Sequence, residues 1–134
     1  MSPDVFAKLA VLIAAPFVGS FLGVLVLRLP EGRPVVAGRS ACPACGKVLG
    51  PLELVPLLSW LAQRGRCRSC GASLSVFYPA IELAALAVAA AAAVATSGAA
   101  FYLACLVGWI LLVPGAIAAV RLAGTGRNGG RDRD

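Results

Sequence analysis

The sequence predicts an α-helical integral membrane protein with about three transmembrane helices and a cytoplasmic, zinc-ribbon-like loop carrying four cysteines. Three observations point to this class. The 134-residue chain is 60% hydrophobic and only 13% charged. It contains uncharged runs long enough to cross a bilayer. Four of its five cysteines fall into two matching Cys-x-x-Cys-Gly units. A soluble domain of this length has too much surface for its volume to hide so many apolar side chains. A bilayer accepts the excess as outward-facing surface.

The first span is residues 9–27, an uncharged run of 19 residues. As a helix it covers about 28 Å, close to one hydrocarbon core. Residues 99–120 form a second uncharged run, of 22 residues, with Pro114 inside it. Proline is tolerated in membrane helices. Between them, residues 83–95 are apolar but number only 13. That segment spans only if residues 78–82 form its first turn; the alternative is a re-entrant segment. The first run reads as a retained helix and not a cleaved signal peptide. Asp4 and the single Lys8 precede it, it exceeds a usual signal core, and no Ala-x-Ala site ends it. The chain thus divides into an outward amino terminus with the first helix (1–27), a loop (28–78), the second and third helices (79–123) and a tail (124–134). The Gly and Arg content of the tail predicts disorder.

Basic residues set the orientation. The loop holds Arg28, Arg33, Arg39, Lys47, Arg64, Arg66 and Arg68, and the end of the chain adds Arg121, Arg127, Arg131 and Arg133. The amino terminus offers Lys8 alone, and the turn around Thr96 to Gly98 offers no charge. Loop and tail are therefore expected in the cytoplasm, with the amino terminus and the short turn outside.

The cysteine units are Cys42-Pro43-Ala44-Cys45-Gly46 and Cys67-Arg68-Ser69-Cys70-Gly71, with 21 residues between Cys45 and Cys67. Two intervening residues let both sulfurs of one turn reach a single ion at about 2.3 Å. Glycine after the second cysteine permits a left-handed backbone, leaving nearby amides free to bond the thiolates. Cys42, Cys45, Cys67 and Cys70 are thus expected to hold a structural zinc, since a catalytic zinc keeps a position open for water. Two disulfides are the alternative if the loop is extracytoplasmic. Arg39, Lys47, Arg64, Arg66 and Arg68 surround the site in sequence and can offset its negative charge. Cys105, amid apolar neighbours, reads as a small buried hydrophobe. The chain contains no His, which excludes His-based metal sites, triads and proton shuttles.

Residues 52–61 (Leu-Glu-Leu-Val-Pro-Leu-Leu-Ser-Trp-Leu) are too short to span and too apolar for water. They read either as an element against the membrane or helices, with Trp60 at headgroup level, or as a short core helix of the loop. Glu82 is the one carboxylate at the edge of a membrane segment. It reads as a functional acid or as an acid at a helix N-terminus, near the cytoplasmic boundary. Nothing in the spacing brings Glu53 to it.

An ordered set of motifs resembles the amino-terminal half of bacterial type IV prepilin leader peptidases. The set is Gly19-Ser20-Phe21-Leu22, Arg28-Leu29-Pro30, Arg39-Ser40 before the first cysteine unit, residues 54–60, Arg64-Gly65-Arg66-Cys67-Arg68, and Tyr78-Pro79 with Glu82. It departs at Gly23 and Phe77, where the family usually has Asn and Arg. The resemblance implies a multi-pass protein of the bacterial inner membrane, acting on prepilins of type IV pili or pseudopilins of type II secretion. It also implies N-methylation with S-adenosylmethionine, associated with the four-cysteine domain, and marks Glu82, Arg28 and Arg66 as candidate functional residues. The family's protease half carries two membrane aspartates. Here the aspartates are Asp4, Asp132 and Asp134, all in terminal polar segments. No catalytic residue for peptide cleavage is therefore assigned, and a separate aspartic protease subunit is the expected partner. A non-enzymatic scaffold whose zinc module docks another protein is the competing reading. Nucleic-acid binding is not expected, because the loop offers few aromatic stacking platforms.

Overall fold

The computed structural model describes residues 2–35 and 40–128. Three helices are long and apolar enough to cross a membrane: a 29-residue segment Pro3–Glu31, the 19-residue Phe77–Ala95 and the 26-residue Gly98–Ala123. Helix α1 (Pro3–Arg28) starts six residues before the uncharged run because its start is well specified. Ser2 caps it by accepting the Val5 N–H, Pro3 takes the first turn, and Asp4 meets the positive end of the helix. A 3-10 turn, Leu29–Glu31, closes α1 onto Gly32.

The loop contains a 3-10 turn, Pro51–Leu54, and the short helix α2 (Leu58–Ala62). Among the described residues there are no strands, only isolated antiparallel bridges Ala41 to Val48 and Arg66 to Ser73. Helix α3 (Phe77–Ala95) starts one residue before the turn it needed and runs unbroken, so it is long and apolar enough to span. Thr96 and Ser97 lead directly into α4 (Gly98–Asn128). This helix continues through Pro114 and five residues into the segment expected to be a disordered tail; residues 129–134 lie outside the described residues.

Helix α1 packs on α3 along small residues. Ala15, Gly19, Leu22, Gly23 and Val26 are buried on α1, facing Ile81, Glu82, Ala85, Ala89 and Ala92 of α3. A Cβ at Gly19 would lie 2.6 Å from the Glu82 Cα and 2.9 Å from the Ala85 Cβ, so the backbones approach as only glycine allows. Gly19 and Gly23 form the small-x-x-x-small spacing that drives helix pairing in lipid, where van der Waals contact replaces the hydrophobic effect. Helix α4 adds Phe101 and Cys105 to the Ala15, Ala89 and Ala92 cluster. Cys105 is buried among apolar neighbours, as its surroundings in the sequence indicated. Trp109 donates its indole N–H to the Ala85 carbonyl at 2.9 Å. At the far end of the bundle, Lys8 Nζ donates to the carbonyls of Ala93 (3.0 Å) and Thr96 (2.9 Å). Lys8 therefore caps the negative end of α3 from a neighbouring helix. The opposite faces carry exposed Phe6, Leu9, Ile13, Phe17 and Phe21 on α1, and Leu103, Leu106, Ile110 and Leu111 on α4. That is the surface a lipid phase covers.

Candidate metal centre and cavity

The two cysteine units fold as near-identical knuckles. In the first, the Cys42 N–H donates to Lys47 O (2.9 Å) and the Gly46 N–H to Cys42 O (2.9 Å). In the second, Cys67 N–H donates to Ala72 O (2.8 Å) and Gly71 N–H to Cys67 O (2.9 Å). Gly46 and Gly71 have φ of 70° and 72°, the left-handed turn that the Cys-x-x-Cys-Gly pattern anticipates.

The knuckles face each other. Cys42 Sγ lies 3.8 Å from Cys70 Sγ, and Cys45 Sγ lies 4.0 Å from Cys67 Sγ. All four sulfurs lie within 4.8 Å of one another. Sulfurs about 2.3 Å from one ion in a tetrahedron are about 3.8 Å apart, so this cage fits a four-thiolate metal. None of the four is in a disulfide.

The donor chemistry agrees with the geometry. Amides of Cys70 and Ser69 donate to the Cys67 sulfur and pull its pKa down to about 6. At Cys70 the amide of Ala72 acts in the same direction, but burial and the neighbouring sulfurs outweigh it and lift the thiol to about 11. A cation at the centre of four sulfurs favours the thiolate form that binds it. Lys47, Arg64, Arg66 and Arg68 are exposed around the knuckles, and Arg39 lies outside the described residues.

Beneath the first knuckle, a cavity of about 510 Å³ separates the loop from the helices. Its walls include Ser20, Val24, Leu27 and Arg28 of α1, Trp60 and Gln63 from the α2 region, and Tyr78 and Glu82 of α3. Trp60 Nε1 and Gln63 Oε1 are buried with no hydrogen-bond partner. Unpaired buried polar atoms are uncommon in folded proteins. Trp60 also packs against Gly65, where a Cβ would lie 2.8 Å from the ring's Cζ2, so the missing side chain leaves room for it.

Glu82 forms the floor. Its Oε2 accepts the Leu57 N–H at 2.8 Å, and the Ser20 hydroxyl also bonds it. The residue is only 5% exposed. The sequence left it open between a functional acid and an acid at a helix N-terminus; it stands beyond the first turn of α3 and level with Gly19 of α1. Gly19 is nine residues from Arg28, about 13 Å along the helix. The reason is that α1 overshoots the start of α3, leaving a recess over the α3 end.

Of the other sequence candidates, Arg28 sits at the rim of the cavity, its guanidinium donating to the carbonyls of Pro34 (2.9 Å) and Val35 (3.3 Å). Arg66 is exposed in the second knuckle and does not line the cavity. Glu53, which the spacing did not join to Glu82, lines the same cavity, and its Oε2 accepts the Gly50 N–H at 2.8 Å. The loop folds back over the helix ends, an approach of distant segments that local spacing does not encode. Sequence reasoning also did not place Ser20 and Gln63 at this cavity or Leu57 against Glu82. The Gly19-x-x-x-Gly23 spacing was the available signal for the helix pairing that sets the floor.

Comparison with known proteins gives these features a context. Residues 13–96 match the family model described as the bacterial peptidase A24 N-terminal domain. The chain is 56% identical over 66 residues to the prepilin leader peptidase/N-methyltransferase of Myxococcus xanthus, covering 49% of this chain and 20% of that protein. It is 45% identical over 76 residues to the Bacillus subtilis protein of the same name, covering 57% and 31% respectively. For the Aeromonas salmonicida protein the figures are 35% over 121 residues, covering 71% and 42%. The chain thus spans between 20% and 42% of the length of these curated relatives. No solved structure matches it. Both knuckles, Ser20, Arg28, Trp60 and Glu82 fall inside the matched region, and the chain belongs to the family of the bacterial peptidase A24 N-terminal domain.

Proposed function

We propose that this chain works in prepilin processing as the substrate-holding and methyl-transferring part, with zinc in the four-cysteine cage and peptide cleavage left to a separate aspartic protease half. The observation that carries the reading is the cavity floored by Glu82 in a chain whose relatives are named prepilin leader peptidase/N-methyltransferase. Its volume lies in the usual range for small-molecule sites.

The residues fit a small ligand with cationic and hydrogen-bonding groups. Glu82 has lone pairs beyond those used by Leu57 and Ser20. A carboxylate in a low-dielectric recess attracts an ammonium or sulfonium strongly. Trp60 and Gln63 line the same wall, and their Nε1 and Oε1 atoms are buried without hydrogen-bond partners. S-adenosylmethionine, when bound, would supply the methyl group. Glu82 would orient the new terminal amine of a prepilin or pseudopilin, and Trp60 and Tyr78 would exclude water from the recess. We place the loop and the carboxyl-terminal end in the cytoplasm of a bacterial inner membrane, where methyl donor and reduced thiols are both available.

The test is mass spectrometry of mature pilin. The chain is co-expressed with a prepilin and an aspartic protease half that lacks an amino-terminal domain. The expected result is a cleaved, N-methylated pilin with the native chain and a cleaved, unmethylated one with Glu82→Gln. Full methylation with Glu82→Gln, or none with the native chain, overturns the reading.

A further inference from the structure

The hydrogen bond between Leu57 and Glu82 fixes more than a side chain; it fixes a depth. Lys8 and Arg28 bracket the uncharged run of α1, twenty residues apart on one continuous helix. That separation is about 30 Å, one hydrocarbon thickness. Glu82 is level with Gly19, between those two charges and about 13 Å below Arg28. Leu57 N–H reaches the Glu82 carboxylate, so the loop backbone around it descends several ångströms below the Arg28 level.

The segment that descends is built for that environment. Leu52, Leu54, Leu58 and Leu61 are 79%, 48%, 66% and 62% exposed. No basic residue occurs between Lys47 and Arg64, and the one acid, Glu53, faces the cavity and accepts the Gly50 N–H. Pro51 and Pro56 carry no N–H to satisfy. The Leu57 N–H goes to Glu82, the Leu58 N–H to Pro56 O (2.6 Å), the Ser59 N–H to Val55 O and the Leu61 N–H to Leu57 O. Irregular backbone survives at membrane depth only where its polar groups are bonded within protein. Leu57 itself has φ 59° and ψ −52°, the strained γ-turn conformation. The Glu82 carboxylate sits against that strained residue and holds it.

We propose that residues 51–62 are inserted in the bilayer leaflet on the loop side. Their exposed leucines lie among the acyl chains, and Lys47, Arg64 and Arg66 lie at the phosphates. The lipid-covered surface of α1, α3 and α4 then continues without a break over α2, and the cavity opens at the boundary between headgroups and hydrocarbon. This placement stands on depth and packing, and does not depend on the methyl-transfer reading.

Tryptophan depth measurement in vesicles tests it. In W109F the remaining tryptophan is Trp60; a second protein, W60F/W109F with Leu58→Trp, carries that outward-facing probe alone. Both are reconstituted, with bound metal measured as the check on folding. The vesicles contain phosphatidylcholine brominated either at upper acyl carbons or near the methyl ends. The expected result is blue-shifted emission of the Leu58→Trp probe, stronger loss of intensity with the upper bromines than with the deep ones, and little loss with aqueous iodide. Quenching of that probe by iodide, with none by either brominated lipid, would place the segment in water and overturn the proposal. A Trp at Ile13, exposed on the mid-span face of α1, calibrates the deep position.

Discussion

Gly19 shows most directly how one residue sets the whole arrangement. A side chain there meets the α3 backbone at Glu82 and the Ile81 carbonyl, neither of which can swing aside as a flexible side chain would. Gly19→Leu should therefore force α1 and α3 apart and destabilise the protein by about 1–3 kcal/mol, the usual cost of overpacking. Gly115 on exposed α4 is the control, because a Cβ there meets nothing within 4 Å. Gly115→Ala should be neutral or stabilising by up to about 1 kcal/mol from helix propensity alone. Thermal unfolding in one detergent, followed by circular dichroism, separates the two. Equal melting temperatures for both variants would mean the close approach at Gly19 is not what holds the helices. The cysteines act as a set in the same way. Cys42 is 2% exposed and sits 3.8 Å from Cys70. Purified under reducing conditions, the chain should carry one zinc, and Cys42→Ser should lose it together with the protease resistance of the loop. Zinc supplies on the order of 10–16 kcal/mol in small four-ligand sites, far more than the few loop hydrogen bonds could replace. A folded, reduced sample without zinc counts against the assignment.

At the level of elements, the spans and the knuckles were legible and the loop's folding was not. Uncharged length predicts a membrane helix because the bilayer sets a length scale, and α1, α3 and α4 follow it. Cysteine spacing predicts the cage because both ligands of each pair lie in one turn, which local geometry fixes. Glu82 was legible as a residue worth attention but not as the floor of a cavity. Its neighbours there come from residues 20, 57 and 60, which meet only when α1 overshoots α3 and the loop returns. Lys8 was read for its charge, while its capping of the α3 carbonyls depends on which helices pair. The side of the membrane on which the loop lies is a matter of charge, and it has its own test. A topology reporter fused at Gly50 should be active only in the cytoplasm, and one at Ser2 only in the periplasm. Periplasmic activity at Gly50 would reverse the orientation and reopen disulfide pairing for the four cysteines.

At the scale of the whole described chain, the recess of about 510 Å³ raises the question of whether its own carboxylates could cut a peptide bond there. Hydrolysis by an aspartic mechanism needs two carboxyl groups sharing a proton, one acting as base and one as acid. The chain's aspartates are Asp4, at the far end of α1 from the cavity, and Asp132 and Asp134, which lie outside the described residues. The cavity does contain two carboxylates, Glu53 and Glu82, so the question is real. Each is committed elsewhere: Glu53 to the Gly50 amide and Glu82 to the Leu57 amide and Ser20 hydroxyl. Among the described residues no hydrogen bond joins the two. Both acids also hold the loop in place, through the turn at Pro51–Leu54 and the strained turn at Leu57. Releasing them for proton transfer would open the recess they line. The chain expressed with a prepilin in cells lacking any other prepilin peptidase should therefore leave the leader uncleaved, as followed by gel mobility. Adding an aspartic protease half in the same cells should restore cleavage. Leader removal by the chain alone, abolished by Glu82→Gln or by Glu53→Gln, would show that these two carboxylates form the catalytic pair after all.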